Sequence, residues 1–145
     1  MIWSIRGTVV LKRDRVAVID AHGLGLKVIM NGRTLRSLPA VGGEAQVYTH
    51  LHLHEGGHEG GIQLFGFKTP DELSFFEELI SVSGVGPKSA LAVMDVDELK
   101  QLQAAIKAGR PDLLSRAPGV GRKTAERIIV ELKSKVSISS SDSSV

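Results

Sequence analysis

An α+β chain in two parts is predicted: a small closed β-barrel, then an all-helical domain. Three observations predict it. Residues 1–67 carry apolar side chains at every second position, residues 68–136 carry them at helical spacing, and Gly84-Val85-Gly86-Pro87-Lys88 returns as Gly119-Val120-Gly121-Arg122-Lys123. At 145 residues, 42% of them hydrophobic and 23% charged, there is apolar material for one good core or two small ones. The sequence has no cysteine, which excludes disulfides and thiolate metal sites. Its apolar runs are too short to span a membrane, and the start MIWSIRG lacks a signal peptide's apolar core, so a cytoplasmic protein is expected.

Strands are expected over 2–11, 15–21, 24–30, 44–54 and 62–67. Leu24, Leu26, Val28 and Met30 alternate with Gly25, Lys27 and Ile29; Ala45, Val47, Thr49, Leu51 and Leu53 alternate with Gln46, Tyr48, His50, His52 and His54. Asp14, the HGLG turn at 22–25, a longer connection through Pro39 and Gly42-Gly43, and the loop EGGHEGG at 55–61 separate them. Five such strands with one long connection suit a barrel of the OB type, whose closure hides the sheet edges.

The period turns helical after Lys68. Thr69-Pro70-Asp71-Glu72 opens a helix, with a threonine to cap, proline in the first turn and acids at the positive end of the dipole; Leu73, Phe76 and Ile80 share one face. Further helices are expected over 87–94, 97–108, 111–116 and 121–135, the last with Ala125, Ile128, Ile129, Leu132 and Val136 as its apolar stripe. The Ser-rich stretch 137–145 has no periodicity and is expected to be a flexible linker or tail. The domains are thus 1–67 and 68–136.

Each Gly-Val-Gly turn joins two short helices. Two glycines allow positive φ, the valine between them fills the space between the helices, and the following helix presents unsatisfied N–H groups on the same concave surface. Such a surface binds a phosphate. The candidate DNA-binding residues are Gly84, Val85, Gly86, Lys88 and Ser89 in the first turn, with Gly119, Val120, Gly121, Lys123 and Thr124 in the second; Arg122 and Arg127 could reach adjacent phosphates. Net charge is only +2, but residues 114–137 hold Arg116, Arg122, Lys123, Arg127, Lys133 and Lys135 against Glu126 and Glu131. A single turn of this kind is a common structural connection. Its repetition, as paired helix-hairpin-helix units, would give two phosphate clamps at a fixed separation. No ATP site is visible, because a P-loop needs Gly-Lys-[Ser/Thr] in succession and these turns read Gly-Pro-Lys-Ser and Gly-Arg-Lys-Thr.

The combination of MIWSIRGTVV, HGLGLKV, LPAVGGEAQVYTH and LFGF with SGVGPKSA and PGVGRKTAERIIVELK resembles the RuvA family, the Holliday-junction-binding subunits of the bacterial branch-migration complex. The resemblance covers residues 1 to about 136. It implies a non-catalytic subunit without a cofactor, assembled as a homotetramer, with one or two tetramers on a junction held open and near-planar. The ATPase would be a separate hexameric motor, RuvB. The resemblance also implies an acidic pin at the centre of the tetramer, for which Glu55 and Glu59 are the candidates; they are separated by Gly56, Gly57 and His58 where the family has adjacent acids. A third small domain that contacts RuvB follows a linker in the family, whereas this sequence stops at Val145, so junction binding is expected of it and motor coupling is not.

Two other readings stand beside this one. A helix-hairpin-helix glycosylase or nuclease would need a catalytic carboxylate or lysine beyond the hairpin, and the first aspartate after Gly121 is Asp142, in the Ser-rich tail. A general duplex-binding module would bind linear DNA and junctions equally. His50, His52 and His54 fall on one strand face, where imidazoles could chelate Zn²⁺ or Ni²⁺, but no cysteine or carboxylate completes a set. No metal site is expected there, only pH-sensitive charge near the pin.

Overall fold

The computed structural model describes residues 1–54 and 61–139, with side chains to 135. The chain divides into two compact units, Met1–Ser74 and Phe75–Val145. The first holds strands β1 (Ser4–Arg13), β2 (Val16–Ala21), β3 (Leu24–Ile29), β4 (Glu44–His54) and β5 (Gly61–Phe67), with helix α1 (Gly32–Ser37) between β3 and β4. The expected five strands are present. They close as β1-β2-β3-β5-β4, with β1 pairing back onto β4.

Closure depends on how β1 is shared. Its first half, Ser4–Thr8, pairs with β4 and its second half, Thr8–Arg13, with β2, and a bulge between Val9 and Leu11 turns the strand from one partner to the other. Two-residue loops set the neighbouring registers: Asp14 (φ 51°) and Arg15 (φ 64°) join Arg13 to Val16, and His22 (φ 53°) with Gly23 (φ 89°) joins Ala21 to Leu24. Both have the left-handed pairs of a type I′ hairpin, whose twist matches that of the strands. Asp20 Oδ1 accepts from the Gly23 N–H at 2.8 Å and steadies the second. Inside, Ile5, Val9, Ala17, Ile19, Val28, Met30, Ala45, Val47 and Leu64 form the core.

Three details depart from the alternation. Helix α1 lies within the connection expected to be irregular: Asn31 Oδ1 accepts from the Thr34 N–H at 2.8 Å as its cap, and Leu35 and Leu38 pack against the barrel core. Six residues are too few for a helical period to show in sequence, and Asn31-Gly32 reads as a turn. Leu53, expected to face inward, is 68% exposed, as is its cross-strand partner Ile62, because the β4–β5 hairpin runs on past the closed wall. Leu24 is likewise exposed beside its tight turn.

The helices are α2 (Pro70–Ser81), α3 (Pro87–Val96), α4 (Leu99–Lys107), α5 (Pro111–Leu114) and α6 (Arg122–Ser139). Helix α2 starts with a side-chain cap: the Glu72 N–H donates to Thr69 Oγ1 at 3.1 Å, and Glu72 Oε2 reaches back past the cap to accept from the Lys68 N–H at 3.2 Å. Leu73, Phe75, Phe76 and Leu79 are buried along it, and Ile80 is half-buried. Helix α4 ends in a Schellman turn at Gly109 (φ 70°), with the Arg110 N–H donating to the Ala105 carbonyl at 2.8 Å. Ala125, Ile128, Ile129 and Leu132 are buried along α6 as its stripe required; the Val136 side chain lies outside those described. Among the described residues, no helix is long and apolar enough to cross a membrane.

The tightest approach in the barrel is at Gly7, where a Cβ would overlap the Asp20 carbonyl oxygen, whereas at Gly25 it would meet only Val18 Cγ1 at an ordinary 3.6 Å. Gly7→Ala is therefore expected to lower stability by about 2–3 kcal/mol, roughly 10 °C or more in Tm, because backbone must move. Gly25→Ala should stay close to wild type in the same thermal denaturation.

Candidate nucleic-acid interface

The two Gly-Val-Gly turns fold alike. After α2, the Val82 N–H donates to the Leu79 carbonyl (3.1 Å), Val85 to Val82 (3.0 Å) and Ala90 to Gly86 (3.0 Å). After α5, Ala117 donates to Leu114 (3.2 Å), Val120 to Ala117 (3.1 Å) and Ala125 to Gly121 (3.0 Å). Each donor and acceptor of the second set stands where the first set's does, in the register that carries Gly84 onto Gly119. The central valines are buried, Val85 at 5% and Val120 at 4% exposure, and so are the pairs Leu79 and Leu114, Val82 and Ala117, and Ala90 and Ala125. The sequence repeat is a repeat of packing and hydrogen bonding.

Of the two glycines in each turn that allow positive φ, one uses it. Only the first of each turn is left-handed, Gly84 at φ 88° and Gly119 at φ 80°. One left-handed residue reverses the chain; the second glycine is already extended, Gly86 serving as the N-cap of α3 at φ −92°. A Cβ on Gly86 or Gly121 would meet nothing within 4 Å, and both residues are exposed. The fold itself does not demand glycine at either position. What the missing side chains leave open is the backbone beside them. Among the described residues, no hydrogen bond takes the N–H groups of Gly86, Lys88 and Ser89, or of Gly121, Arg122, Lys123 and Thr124. These donors open the ten-residue α3 and the eighteen-residue α6, where the helix dipole adds positive potential. Lys88 and Lys123 are exposed beside them, and Ser89 and Thr124 are half-buried in the first turns.

The two arginines are engaged within the chain. Arg122 Nε lies 3.2 Å from Glu126 Oε1, and its Nη1 lies 3.3 Å from Asp112 Oδ1 on α5. Arg127 Nη1 donates to the Ser83 carbonyl at 3.4 Å, so a residue of the second hairpin's long helix reaches the turn of the first. Lys135 Nζ, further along α6, donates to Ser81 Oγ at 3.5 Å. Nearby, burial pushes the Glu78 carboxyl above the usual carboxylate range, with Lys135 pulling the other way. The Arg122–Glu126 pair was open to sequence reasoning through its i,i+4 spacing, whereas Asp112 and the Ser83 contact had no local signal.

On the barrel, His50, His52 and His54 form a ladder on one face of β4, with ring centroids 6.0 and 6.5 Å apart and the His52 ring edge-on to Phe65 at 6.1 Å. Burial lowers the His52 pKa, and the charges of His50 and His54 lower it further. Among the described residues no group of three or more His, Asp or Glu is placed to hold a metal. The ladder leads to the pin candidates Glu55 and Glu59, which lie outside the described residues.

Residues 1–66 match the family model for the RuvA N-terminal domain, and residues 76–134 match that for a SAM-like helix-hairpin-helix tandem. A Holliday junction branch migration complex subunit RuvA from Thermoanaerobacter sp. (strain X514) is 46% identical over 136 residues, 94% of this chain and 71% of the relative. The chain belongs to the RuvA family. RuvA proteins of the same description from Caldanaerobacter subterraneus subsp. tengcongensis and Herpetosiphon aurantiacus are each 43% identical, over 94% and 95% of this chain and 71% and 68% of theirs. This RuvA-family chain thus shares both the barrel and the paired hairpins with its relatives.

Two outcomes follow for stability. Gly84→Ala and Gly119→Ala are each expected to cost about 1–2 kcal/mol through left-handed strain, and Gly86→Ala and Gly121→Ala less than about 0.5 kcal/mol, in chemical denaturation of the purified chain. A base whose folded pKa lies below its unfolded value binds fewer protons when folded, so its stability is present at high pH and is lost as pH falls through the usual imidazole range. Acidifying from about pH 8 to about pH 5 should therefore lower Tm more in wild type than in His52→Gln.

Proposed function

We propose that this chain binds four-way DNA junctions and serves, without catalysis of its own, as the DNA-targeting subunit of an ATP-driven branch-migration complex in the cytoplasm. The observation that carries the reading is the duplicated turn: two nests of unclaimed N–H groups at helix N-termini, each beside an exposed lysine and an exposed glycine that the fold does not need. Each nest suits one phosphate, with Gly84, Val85 and Gly86 or Gly119, Val120 and Gly121 shaping it. Lys88 or Lys123 supplies charge, and Ser89 or Thr124 a hydroxyl. Two clamps in one domain fit the two strands of a duplex across its minor groove without reading a base. Arg127 sets the spacing between the clamps through Ser83, and Glu55 and Glu59 repel backbone at the crossover. Four copies, in one or two rings per junction, would give each DNA arm its own pair of clamps, and the motor would be the RuvB ring.

Gel shifts with a four-way junction and a linear duplex of the same arm sequences test this. Junction binding is expected to be tighter, insensitive to permuted arm sequences and steeply weakened by salt. Equal affinity for the two substrates would favour a general duplex-binding module. Lys88→Ala and Lys123→Ala should each reduce the slope of log K against log salt by about one, one phosphate contact apiece. Gly86→Val and Gly121→Val should weaken binding about ten-fold or more while leaving Tm nearly unchanged, because the added bulk stands only in the path of the DNA.

A further inference from the structure

The two hairpins match in backbone but not in charge. Arg122 is the first residue of α6, between Gly121 and Lys123, so its guanidinium stands at the rim of the second nest. It is held there by two carboxylates, Glu126 Oε1 at 3.2 Å and Asp112 Oδ1 at 3.3 Å. The first hairpin keeps one of these acids, Glu77 in the place of Asp112, but among the described residues it has no arginine at the rim of its nest. In its register Pro87 occupies the place of Arg122 and Leu91 that of Glu126, which leaves Lys88 without an acid one turn along its helix.

We propose that Asp112 and Glu126 act as an electrostatic brake on the second hairpin, holding the Arg122 guanidinium in competition with a DNA phosphate. This rests on the reading of the turns as phosphate clamps. All three side chains are exposed, Arg122 at 69%, Asp112 at 81% and Glu126 at 54%, so the pairs are hydrated and exchangeable. Exposed pairs of this kind shift equilibria only a few-fold, and a phosphate that also takes the N–H groups of Gly121 to Thr124 can displace them. Both carboxylates remain within a Debye length of about 8–10 Å of that phosphate and repel it. When the DNA backbone leaves, the guanidinium returns to its carboxylates instead of to water alone, which favours release. The first clamp is then the stronger hold and the second the one that lets go more readily. That inequality suits a protein whose DNA must move past it step by step.

A double-mutant cycle on junction affinity tests the brake. D112N/E126Q is expected to bind about three- to ten-fold tighter than wild type near 0.1 M salt, with a salt slope steeper by up to about one, as Arg122 engages a phosphate fully. In an R122Q background the same pair of replacements should gain clearly less than in wild type, retaining only the share that comes from direct repulsion of the phosphate. An equal gain in both backgrounds would reduce the effect to general repulsion and overturn the brake. A loss of affinity in D112N/E126Q would also overturn it, since the carboxylates would then be orienting Arg122 toward DNA. Should D112N disturb α5, seen as a fall in Tm, E126Q alone carries the cycle. A wild-type chain that binds neither junction nor duplex would refute the clamps themselves, and the brake with them.

Discussion

Everything proposed for the helical unit depends on one buried side chain used twice. Val85 and Val120 occupy the inside of their turns, and their N–H groups close onto the carbonyls of Val82 and Ala117. With the valine fixed inside, the flanking glycines must lie outside. One takes the left-handed turn that a side chain would oppose, and the other exposes the first donors of the next helix. The nest of donors proposed to hold a phosphate is thus a by-product of core packing. The hydrophobic effect holds the turn in place, and the polar groups left over face outward, already oriented.

The barrel follows a different logic, in which small residues permit close approach. Gly7 lets β1 come up against the Asp20 backbone, and Gly66 admits Val28 where a Cβ would stand 2.5 Å from its Cγ1. These contacts let five short strands close with β1 serving two neighbours. Beyond the closed wall the β4–β5 hairpin keeps its alternation but loses its core: Leu53 and Ile62 face solvent, and the histidine ladder lies on the opposite side of the strand. A strand pattern therefore says which residues share a face, not how far along the strand that face stays covered.

Net charge is small, and what matters is where the charges stand. A net +2 over 145 residues would not by itself draw a protein to DNA, and the two arginines nearest the turns both make contacts within the chain. What remains open are the main-chain donors and the two lysines. The binding proposed for them would recognise the spacing of phosphates, which suits a substrate defined by shape and not by base sequence. Arg127 contributes by holding one turn to the helix that follows the other.

The sequence by itself determined the fold class, the five strands, the onset of the helices and the two turns, because each rests on local periodicity or on a residue type with few conformational options. It also determined the family, since MIWSIRGTVV, LFGF and the two hairpins occur in one order along one chain. Tertiary structure alone decided which glycines are left-handed, that α1 interrupts the long connection, and that Leu53 emerges from the barrel. It alone decided, too, that Arg122 meets Asp112 and that Arg127 meets Ser83, residues ten and forty-four positions apart. The physical reason is range: periodicity and capping act within a few residues, whereas an exposed side chain chooses partners by where packing of the buried ones happens to place them.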